Sequence, residues 1–211
     1  MIPVIPVVMI DYLGVAVFAA TGALVASRQQ MDLIGFGLLA TLTGVGGGTV
    51  RDLVIGRPVF WIVDPSYLIV CLSIAFALFF GAHLVQRRYV VLLWMDALGL
   101  AAYGVLGAHI ALANGVGFVP AIVLGVVTAT FGGTIRDVVS DEQPLILKQE
   151  IYATAALAAA CVYVGCVATG ADALLAAGIG GLVGFIVRAG AILWSWQLPR
   201  YRPRPGRDYR Q

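Results

Sequence analysis

One short motif occurs twice in this chain. Residues 47–52 read Gly-Gly-Thr-Val-Arg-Asp, and residues 132–137, displaced by 85 positions, read Gly-Gly-Thr-Ile-Arg-Asp. Both copies lie in stretches apolar enough to span a bilayer, where paired glycines weaken a helix and an Arg-Asp pair is costly. The same displacement relates Asp11 to Asp96 and Tyr67 to Tyr152. Together these features predict a duplicated membrane transport unit rather than a soluble core.

The composition also indicates a membrane protein. The 211 residues are 61% hydrophobic and 11% charged, which is too little charge to cover the surface of a soluble domain. A helix that crosses a bilayer needs about 20 mostly apolar residues. Seven stretches of the chain meet this requirement, at about 6–27, 33–55, 66–85, 90–112, 118–140, 149–169 and 172–197. The sequence therefore predicts an all-α integral membrane protein with seven transmembrane helices.

The basic residues indicate how these helices are oriented. With the N-terminus outside the cell, nine of the 13 Lys and Arg residues fall on the inner face and one, Arg57, on the outer face. The nine are Arg28, Arg87, Arg88, Lys148 and the five arginines beyond Pro199. The positive-inside rule then favours a multi-pass membrane protein with its N-terminus outside and its C-terminus in the cytoplasm.

The repeat and the span count together predict the domain organisation. Residues 11–85 and 96–170 each hold three spans, and an odd number of spans inserts the second copy upside down. We therefore expect a single transmembrane domain over residues 1–197, made of two inverted three-helix repeats and a seventh helix at 172–197. Residues 198–211 would form a basic cytoplasmic tail at the surface of the membrane lipids.

The glycines of the motif predict kinks in the second and fifth helices. Consecutive glycines cost a helix about 1 kcal/mol each relative to alanine, so a kink or a break near Gly46–Gly48 is expected. Thr49 and Asp52, like Thr134 and Asp137, then have the spacing of a capping box that starts a new half-helix. Free carbonyls at such a break can coordinate a cation.

The arginines of the motif should face the protein interior, because a central Arg is expensive in lipid. Neighbours on a helix point about 100° apart, so Arg51 can pair with Asp137, Asp11 or Asp96 as readily as with Asp52. The structural alternative is that the glycines allow close packing and the charges lock the bundle. Arg188 in the seventh helix either lines the same interior or extends toward the inner face, and Gly180-x-x-x-Gly184 is a packing motif.

Other site chemistries find little support in the sequence. His83 and His109 are isolated and lack the spacing of a zinc site, so we expect no metal and no cofactor. No nucleophile and base are suitably placed, and the glycines lack the strand and lysine of a nucleotide-binding loop. We expect neither an enzyme nor a nucleic-acid-binding protein.

The doubled motif, the Arg57-Pro-x-x-Trp61 that follows its first copy and the layout of three plus three plus one spans resemble the prokaryotic trimeric intracellular cation (TRIC) channels, also classified as bacterial glycine transporter domains. The resemblance implies a homotrimer with one pore per protomer that passes K⁺ and Na⁺. It places the ion pathway at Gly46, Gly47, Gly48, Thr49, Arg51, Asp52, Gly132, Gly133, Thr134, Arg136 and Asp137.

The first hypothesis is therefore a monovalent cation channel lined by two glycine-broken helices, with Asp11, Asp96 and Arg188 as further charge partners. The second is a secondary transporter of a small zwitterion such as glycine, because inverted repeats with broken helices also build carriers. The third is a structural subunit without transport activity. Ion flux too fast for a conformational cycle would distinguish the channel from the carrier.

Overall fold

The computed structural model describes residues 4–84, 88–147 and 151–199, and seven long helices form this part of the chain. The helices are α1 (Val4–Arg28), α2 (Leu33–Val54), α3 (Phe60–Val63, a single turn), α4 (Ser66–Gly81), α5 (Arg88–Ala113), α6 (Phe118–Val139), α7 (Ala153–Ala168) and α8 (Ala173–Trp194). The predicted all-α fold is confirmed. Lys148 and most of the basic tail lie outside the described residues.

Six of the seven long helices are long and apolar enough to cross a membrane. The exception is α7, which has 16 residues and is about 24 Å long at 1.5 Å per residue. The sequence predicts this span to begin at residue 149, whereas the helix begins at Ala153. The two preceding residues are used in other contacts, because the Ile151 carbonyl accepts a hydrogen bond from Arg188 and the Tyr152 side chain is buried.

The ends of the helices repeat with the period of the motif. Gln30 and Gly56 have positive φ angles of 55° and 71°, and Gly115 and Asp141, each 85 residues later, have 80° and 55°. These left-handed residues follow α1, α2, α5 and α6, where such a conformation commonly ends a helix. The two copies therefore fold alike even where glycine stands in one copy and a larger residue in the other.

The packing of the helices follows the same duplication. In the first repeat α1, α2 and α4 pack against one another, and in the second α5, α6 and α7 do so. Contacts of α1 with α5 and of α2 with α6 join the two repeats. Equivalent helices therefore meet in pairs at the centre of the molecule, the arrangement expected around a pseudo-two-fold axis.

Hydrogen bonds at the two ends of α1 show that the repeats are inverted. Near its start, the Tyr12 hydroxyl donates to Asp64 at 2.6 Å, in the loop that follows α2 and α3. Just beyond its end, Gln29 donates to the carbonyl of Ser140, which follows α6, at 3.3 Å. The loops after the equivalent helices α2 and α6 therefore lie at opposite ends of α1. We call the Asp64 end the first mouth and the Ser140 end the second mouth.

The added helix α8 packs on α7 and α5 of the second repeat through small residues. A Cβ added at Gly180 would lie 2.8 Å from the Ala159 carbonyl oxygen, and one added at Gly184 would lie 2.7 Å from the Ala159 side chain. The predicted Gly180-x-x-x-Gly184 packing motif is confirmed. In contrast, a Cβ added at Gly178 or at Gly181 would have no described atom within 4 Å.

We expect Gly184→Ala to loosen α8, because its methyl group would overlap the Ala159 side chain and lie 3.2 Å from the Ala155 carbonyl oxygen. The free energy of unfolding should fall by about 1–3 kcal/mol, the usual cost of an overpacked contact. Thermal unfolding in detergent measures this loss. Gly178→Ala is the matched control on the same helix and should leave Tm unchanged or raise it. Equal Tm values for the two variants would contradict the packing role of Gly184.

Candidate functional site: two buried charge clusters

Charged side chains are buried in the middle of the helix bundle. Arg51, Arg136 and Arg188 are each at most 1% exposed and are the three largest fully buried side chains. Asp52, Asp96 and Asp137 are at most 3% exposed, and Asp11 is 8% exposed. Isolated charges would be very unfavourable there, so their partners determine whether the bundle is stable. These partners form two clusters, each centred on the Arg-Asp pair of one repeat.

The first cluster consists of Asp11, Arg51, Asp52, Tyr67 and Tyr103. Arg51 Nε and Nη2 bind the same oxygen of Asp52, Oδ1, at 2.9 and 2.8 Å. Asp11 instead accepts hydrogen bonds from the hydroxyls of Tyr67 at 3.2 Å and Tyr103 at 3.1 Å. Arg51 Nη1 makes no hydrogen bond to any described residue. The cluster therefore contains a buried donor that is available to water or to a ligand.

The second cluster consists of Asp96, Arg136, Asp137 and Tyr152, together with Thr21 from α1. Arg136 Nε donates to Asp137 Oδ1 at 2.9 Å, as Arg51 does to Asp52. In addition, Arg136 Nη1 donates to Asp96 and to Thr21, each at 3.0 Å. Asp96 Oδ2 has no hydrogen-bond partner among the described residues. Arg136 thus links two carboxylates, whereas Arg51 contacts only one.

These contacts resolve the alternatives that the sequence left open. Each arginine of the motif pairs with the aspartate next to it in the chain. Asp96 is also a charge partner as predicted, but of Arg136 in its own repeat rather than of Arg51. Asp11 is hydrogen-bonded by tyrosines.

The aspartates of the motif also organise the loop that follows each helix. Asp52 Oδ2 accepts from the backbone N–H of Phe60 at 2.9 Å, and Asp137 Oδ2 accepts from the N–H of Leu145 at 3.0 Å. Phe60 and Leu145 are themselves 85 residues apart, and each begins a short helical turn, α3 or Leu145–Leu147. In each repeat, the motif aspartate therefore binds both the buried arginine and the turn that covers it.

The prediction that the glycines break their helices is wrong, because α2 and α6 run unbroken through them. Gly47 and Gly132 instead lie where the two helices cross. A Cβ added at Gly47 would overlap the Thr128 carbonyl oxygen, and one added at Gly132 would overlap the Thr43 carbonyl oxygen. The crossing is symmetric, since Thr43 and Thr128 are also equivalent positions. Close packing, the alternative reading of the motif, explains these two glycines.

The other glycines of the motif make room for side chains. A Cβ at Gly46 would lie 3.0 Å from Ile135, and one at Gly48 would lie 2.6 Å from the Phe60 ring. A Cβ at Gly133 would lie 2.8 Å from the Tyr152 hydroxyl and 3.6 Å from Asp96 Oδ1. Gly133 thus leaves space at the point where the polar groups of the second cluster converge.

The threonines do not cap half-helices, which is a second correction. Thr49 donates to the carbonyl of Val45 at 2.7 Å, and Thr134 donates to the carbonyl of Thr130 at 2.9 Å. Both are bonds to the residue four positions earlier within a continuous helix, a pattern that often bends helices. Trp61 also donates its indole N–H to the Thr49 hydroxyl at 2.8 Å. A bend without a break in α2 and α6 stays a prediction.

Arg188 supports the second cluster from α8. Its Nη1 donates to the Ile151 carbonyl at 3.1 Å, and its guanidinium lies 5.2 Å from the centroid of the Tyr152 ring. Since Arg188 is 0% exposed, the prediction that it extends toward the inner face is not met in the single chain. Arg188 therefore lies inside the bundle, and that it lines a water-filled interior stays a prediction.

Sequence reasoning missed Tyr103 and Thr21. Tyr103 lies 85 residues after Phe18, and the two rings stack with centroids 5.4 Å apart. Their neighbours Gly14 and Gly99, also equivalent, provide the space: a Cβ at Gly14 would lie 2.8 Å from Tyr103 and one at Gly99 would lie 2.9 Å from Phe18. The repeated aromatic position could have indicated Tyr103. Nothing in the repeat indicates Thr21.

The fold and the buried clusters define a class: a multi-span α-helical membrane protein of two inverted three-helix repeats and one added helix. A family model described as glycine transporter matches residues 8–83 and again residues 93–168, at the displacement found for the motif. The chain belongs to this family, the TRIC family, as the resemblance predicts.

The relatives agree with this placement. The chain is 51% identical to the solved TRIC trimeric intracellular cation channel orthologue from Rhodobacter sphaeroides, with a TM-score of 0.88 over 90% of this chain and 98% of that one. A second solved TRIC cation channel is 32% identical, with a TM-score of 0.84 over 94% and 98% of the two chains. The UPF0126 inner membrane protein YadS of Escherichia coli strain K12 is 37% identical over 91% of this chain and 94% of its own length. The relatives with a named activity are channels rather than enzymes.

Proposed function

We propose that the chain is a monovalent cation channel of the inner membrane, permeable to K⁺ and Na⁺, that assembles as a homotrimer with one pathway per protomer. The observation that carries this proposal is the pair of buried charge clusters, placed at equivalent positions toward the two mouths of an inverted repeat. Intramembrane ionisable residues usually mark an ion or substrate pathway. The solved relatives are named as trimeric cation channels, which supports the same conclusion.

The pathway would run along the interface of α2 and α6, past both clusters. Arg51 and Arg136 are each 1% exposed, so this pathway would be closed at both clusters. Opening would require the guanidinium groups to move aside while Asp52 and Asp137 hold the covering turns. The remaining residues of the motif would shape this pathway, and the N-terminus would lie outside the cell, as the basic residues predict.

The second candidate is a carrier for a small zwitterion such as glycine. The description of the family model as a glycine transporter favours it specifically. Arg51 Nη1 in the first cluster could bind the substrate carboxylate, because this atom has no hydrogen-bond partner among the described residues. A carrier turns over by alternating access, so its flux is slow and saturable.

Single-channel recording of the purified protein in planar bilayers under a KCl gradient tests the proposal. Discrete cation-selective openings are the expected result. Silent bilayers combined with accumulation of labelled glycine in matched liposomes would replace the channel with the carrier. Silent bilayers without any uptake would favour a structural subunit.

We expect Arg51→Gln to increase cation conduction in this assay. The substitution removes a positive charge from the pathway and weakens a charge-assisted contact that holds the closed arrangement. Since such hydrogen bonds contribute about 1.5–3 kcal/mol, the open probability should rise by about tenfold or more. Asp172→Asn is a suitable control, because Asp172 caps α8 away from both clusters. Unchanged open probability and conductance in Arg51→Gln would contradict a pathway past Arg51.

A further inference from the structure

The two mouths carry opposite charges at one equivalent position. Arg57 follows Asp52 by five residues, and Glu142 follows Asp137 by the same interval, so the two lie 85 residues apart. The contacts at the ends of α2 and α6 match closely in the two repeats. Each motif aspartate even accepts a hydrogen bond from the backbone N–H eight residues later. The exchange of a guanidinium for a carboxylate is therefore a local chemical difference on a common scaffold.

At the first mouth, Arg57 adds positive charge beside the first cluster. Its Nε lies 3.7 Å from Asp52 Oδ1, and its side chain is 34% exposed. Asp64 is also at this mouth, where the hydrogen bond from the Tyr12 hydroxyl lowers the pKa of the Asp64 carboxyl. That carboxylate is hydrogen-bonded by Tyr12 and by the backbone N–H of Ser66. A cation arriving here meets Arg57 next to the buried Asp52.

At the second mouth, Glu142 is held by the end of α1. Its Oε1 lies 3.2 Å from Arg28 Nη2 and accepts a hydrogen bond from Gln29 Nε2 at 3.3 Å. Its side chain is 21% exposed. Glu142 thus lies between solvent and the second cluster, with one of its two oxygens engaged by both α1 residues.

A small cavity connects Glu142 to the buried charges. Its volume is about 10 Å³, roughly that needed for one water molecule. Glu142 and Gln143 line it together with Tyr89, Arg136 and Asp137. The partly exposed carboxylate and the buried Arg136–Asp137 pair therefore line the same small cavity.

We propose that Glu142 recruits cations at the second mouth and that Arg57 opposes their entry at the first, so that this equivalent pair sets how easily ions enter from each side. The inference rests on the proposed channel function. A carboxylate at a narrow mouth raises the local concentration of cations, and a guanidinium lowers it. Arg28 would moderate Glu142 by neutralising part of its charge.

The test is single-channel recording of Glu142→Gln and Arg57→Gln in symmetric KCl. Glu142→Gln should lower the unitary cation current that enters at the second mouth by about two-fold at 0.1 M KCl, where the screening length is about 10 Å. The effect should nearly vanish at 1 M KCl, where that length is about 3 Å. Arg57→Gln should raise the current entering at the first mouth. Arg28→Gln, which leaves Glu142 unneutralised, should act opposite to Glu142→Gln.

A Glu142→Cys variant allows charge of either sign to be introduced at the same position after the protein has folded. A negatively charged thiosulfonate reagent should restore the current entering at the second mouth, and a positively charged one should lower it further. The reagent acts from one side only, which also assigns the orientation of each channel. Cys161 and Cys166 are replaced by Ser in the background, since Cys161 is exposed and Cys166 partly so.

The outcomes separate this inference from the proposed function. A conducting wild type whose unitary currents are unaffected by Glu142→Gln, Arg57→Gln and both reagents at 0.1 M KCl overturns the inference and leaves the channel intact. A wild type without current overturns both. A change of equal size in both directions of flow would mean that Glu142 alters the pathway generally rather than entry at its own mouth, which also rejects the inference.

Discussion

Gly47→Ala is expected to prevent the protein from folding normally, although alanine is the better helix former. Its methyl group would overlap the Thr128 carbonyl oxygen and lie 3.0 Å from the Thr128 carbonyl carbon. A backbone carbonyl cannot rotate away as a flexible side chain can, so α2 and α6 would have to separate. We expect a loss of about 3 kcal/mol or more, at the upper end of overpacking effects. Gly132→Ala should behave alike, because it meets the equivalent carbonyl of Thr43.

The sign of the expected stability change distinguishes this prediction from the usual effect of Gly→Ala. In a helix without a crossing partner, Gly→Ala stabilises by about 0.5–1 kcal/mol. Gly181→Ala is the matched control, since nothing lies within 4 Å of its added Cβ, and its Tm should rise or stay the same. Size-exclusion elution and thermal unfolding in detergent report both variants. A Gly47→Ala protein that elutes and melts like the wild type would refute the helix crossing and return these glycines to a role in the pathway alone.

Arg136→Met is expected to destabilise the protein by about 3–5 kcal/mol, the cost of leaving buried charges without their partner. The arginine binds both Asp96 and Asp137, which are at most 3% exposed. Its loss leaves two carboxylates close together in a low-dielectric interior. Methionine fills much of the same volume, so the change reports the charge rather than a cavity. The measurement is the free energy of unfolding in detergent.

Two further variants show whether the loss of stability in Arg136→Met is caused by the lost ion pairs. Adding Asp96→Asn to Arg136→Met removes one of the stranded charges and should recover part of the stability. Arg57→Met is the control, because the Arg57 side chain is 34% exposed and its contact with Asp52 is 3.7 Å long. A contact of this length made by a partly exposed arginine should contribute about 1 kcal/mol or less. Equal losses for Arg136→Met and Arg57→Met would argue against a buried cluster at Arg136.

The sequence was sufficient to predict the helices, the duplication and the burial of the charged motif. Apolar length predicts the spans, and the unfavourable transfer of Arg into lipid predicts an interior position for Arg51 and Arg136. It also predicts the packing of Gly180 and Gly184, because small residues four apart share a helix face. These inferences depend on local pattern and on the membrane as solvent, so they need no knowledge of distant contacts.

The contacts of the motif residues could not be predicted from local sequence pattern. Glycine weakens an isolated helix whether or not another helix crosses it, and the element that holds α2 intact at Gly47 is α6, 85 residues away. The second oxygen of Asp52 is taken by the N–H of Phe60, which depends on how the chain turns after Gly56. The pairing of each arginine with its own neighbour likewise depends on the direction of a long, flexible side chain.

The stacked rings of Phe18 and Tyr103 have a consequence for how such a protein can diversify. If two separate identical three-helix chains met about a true two-fold axis, every substitution at that axis would appear twice, and a hydroxyl on one ring would require a hydroxyl on the other. Here a single gene encodes both halves, and of the two stacked rings Tyr103 donates to Asp11, while Phe18 has no hydroxyl to offer. Covalent fusion thus permits each half to acquire its own chemistry without disturbing the shared architecture.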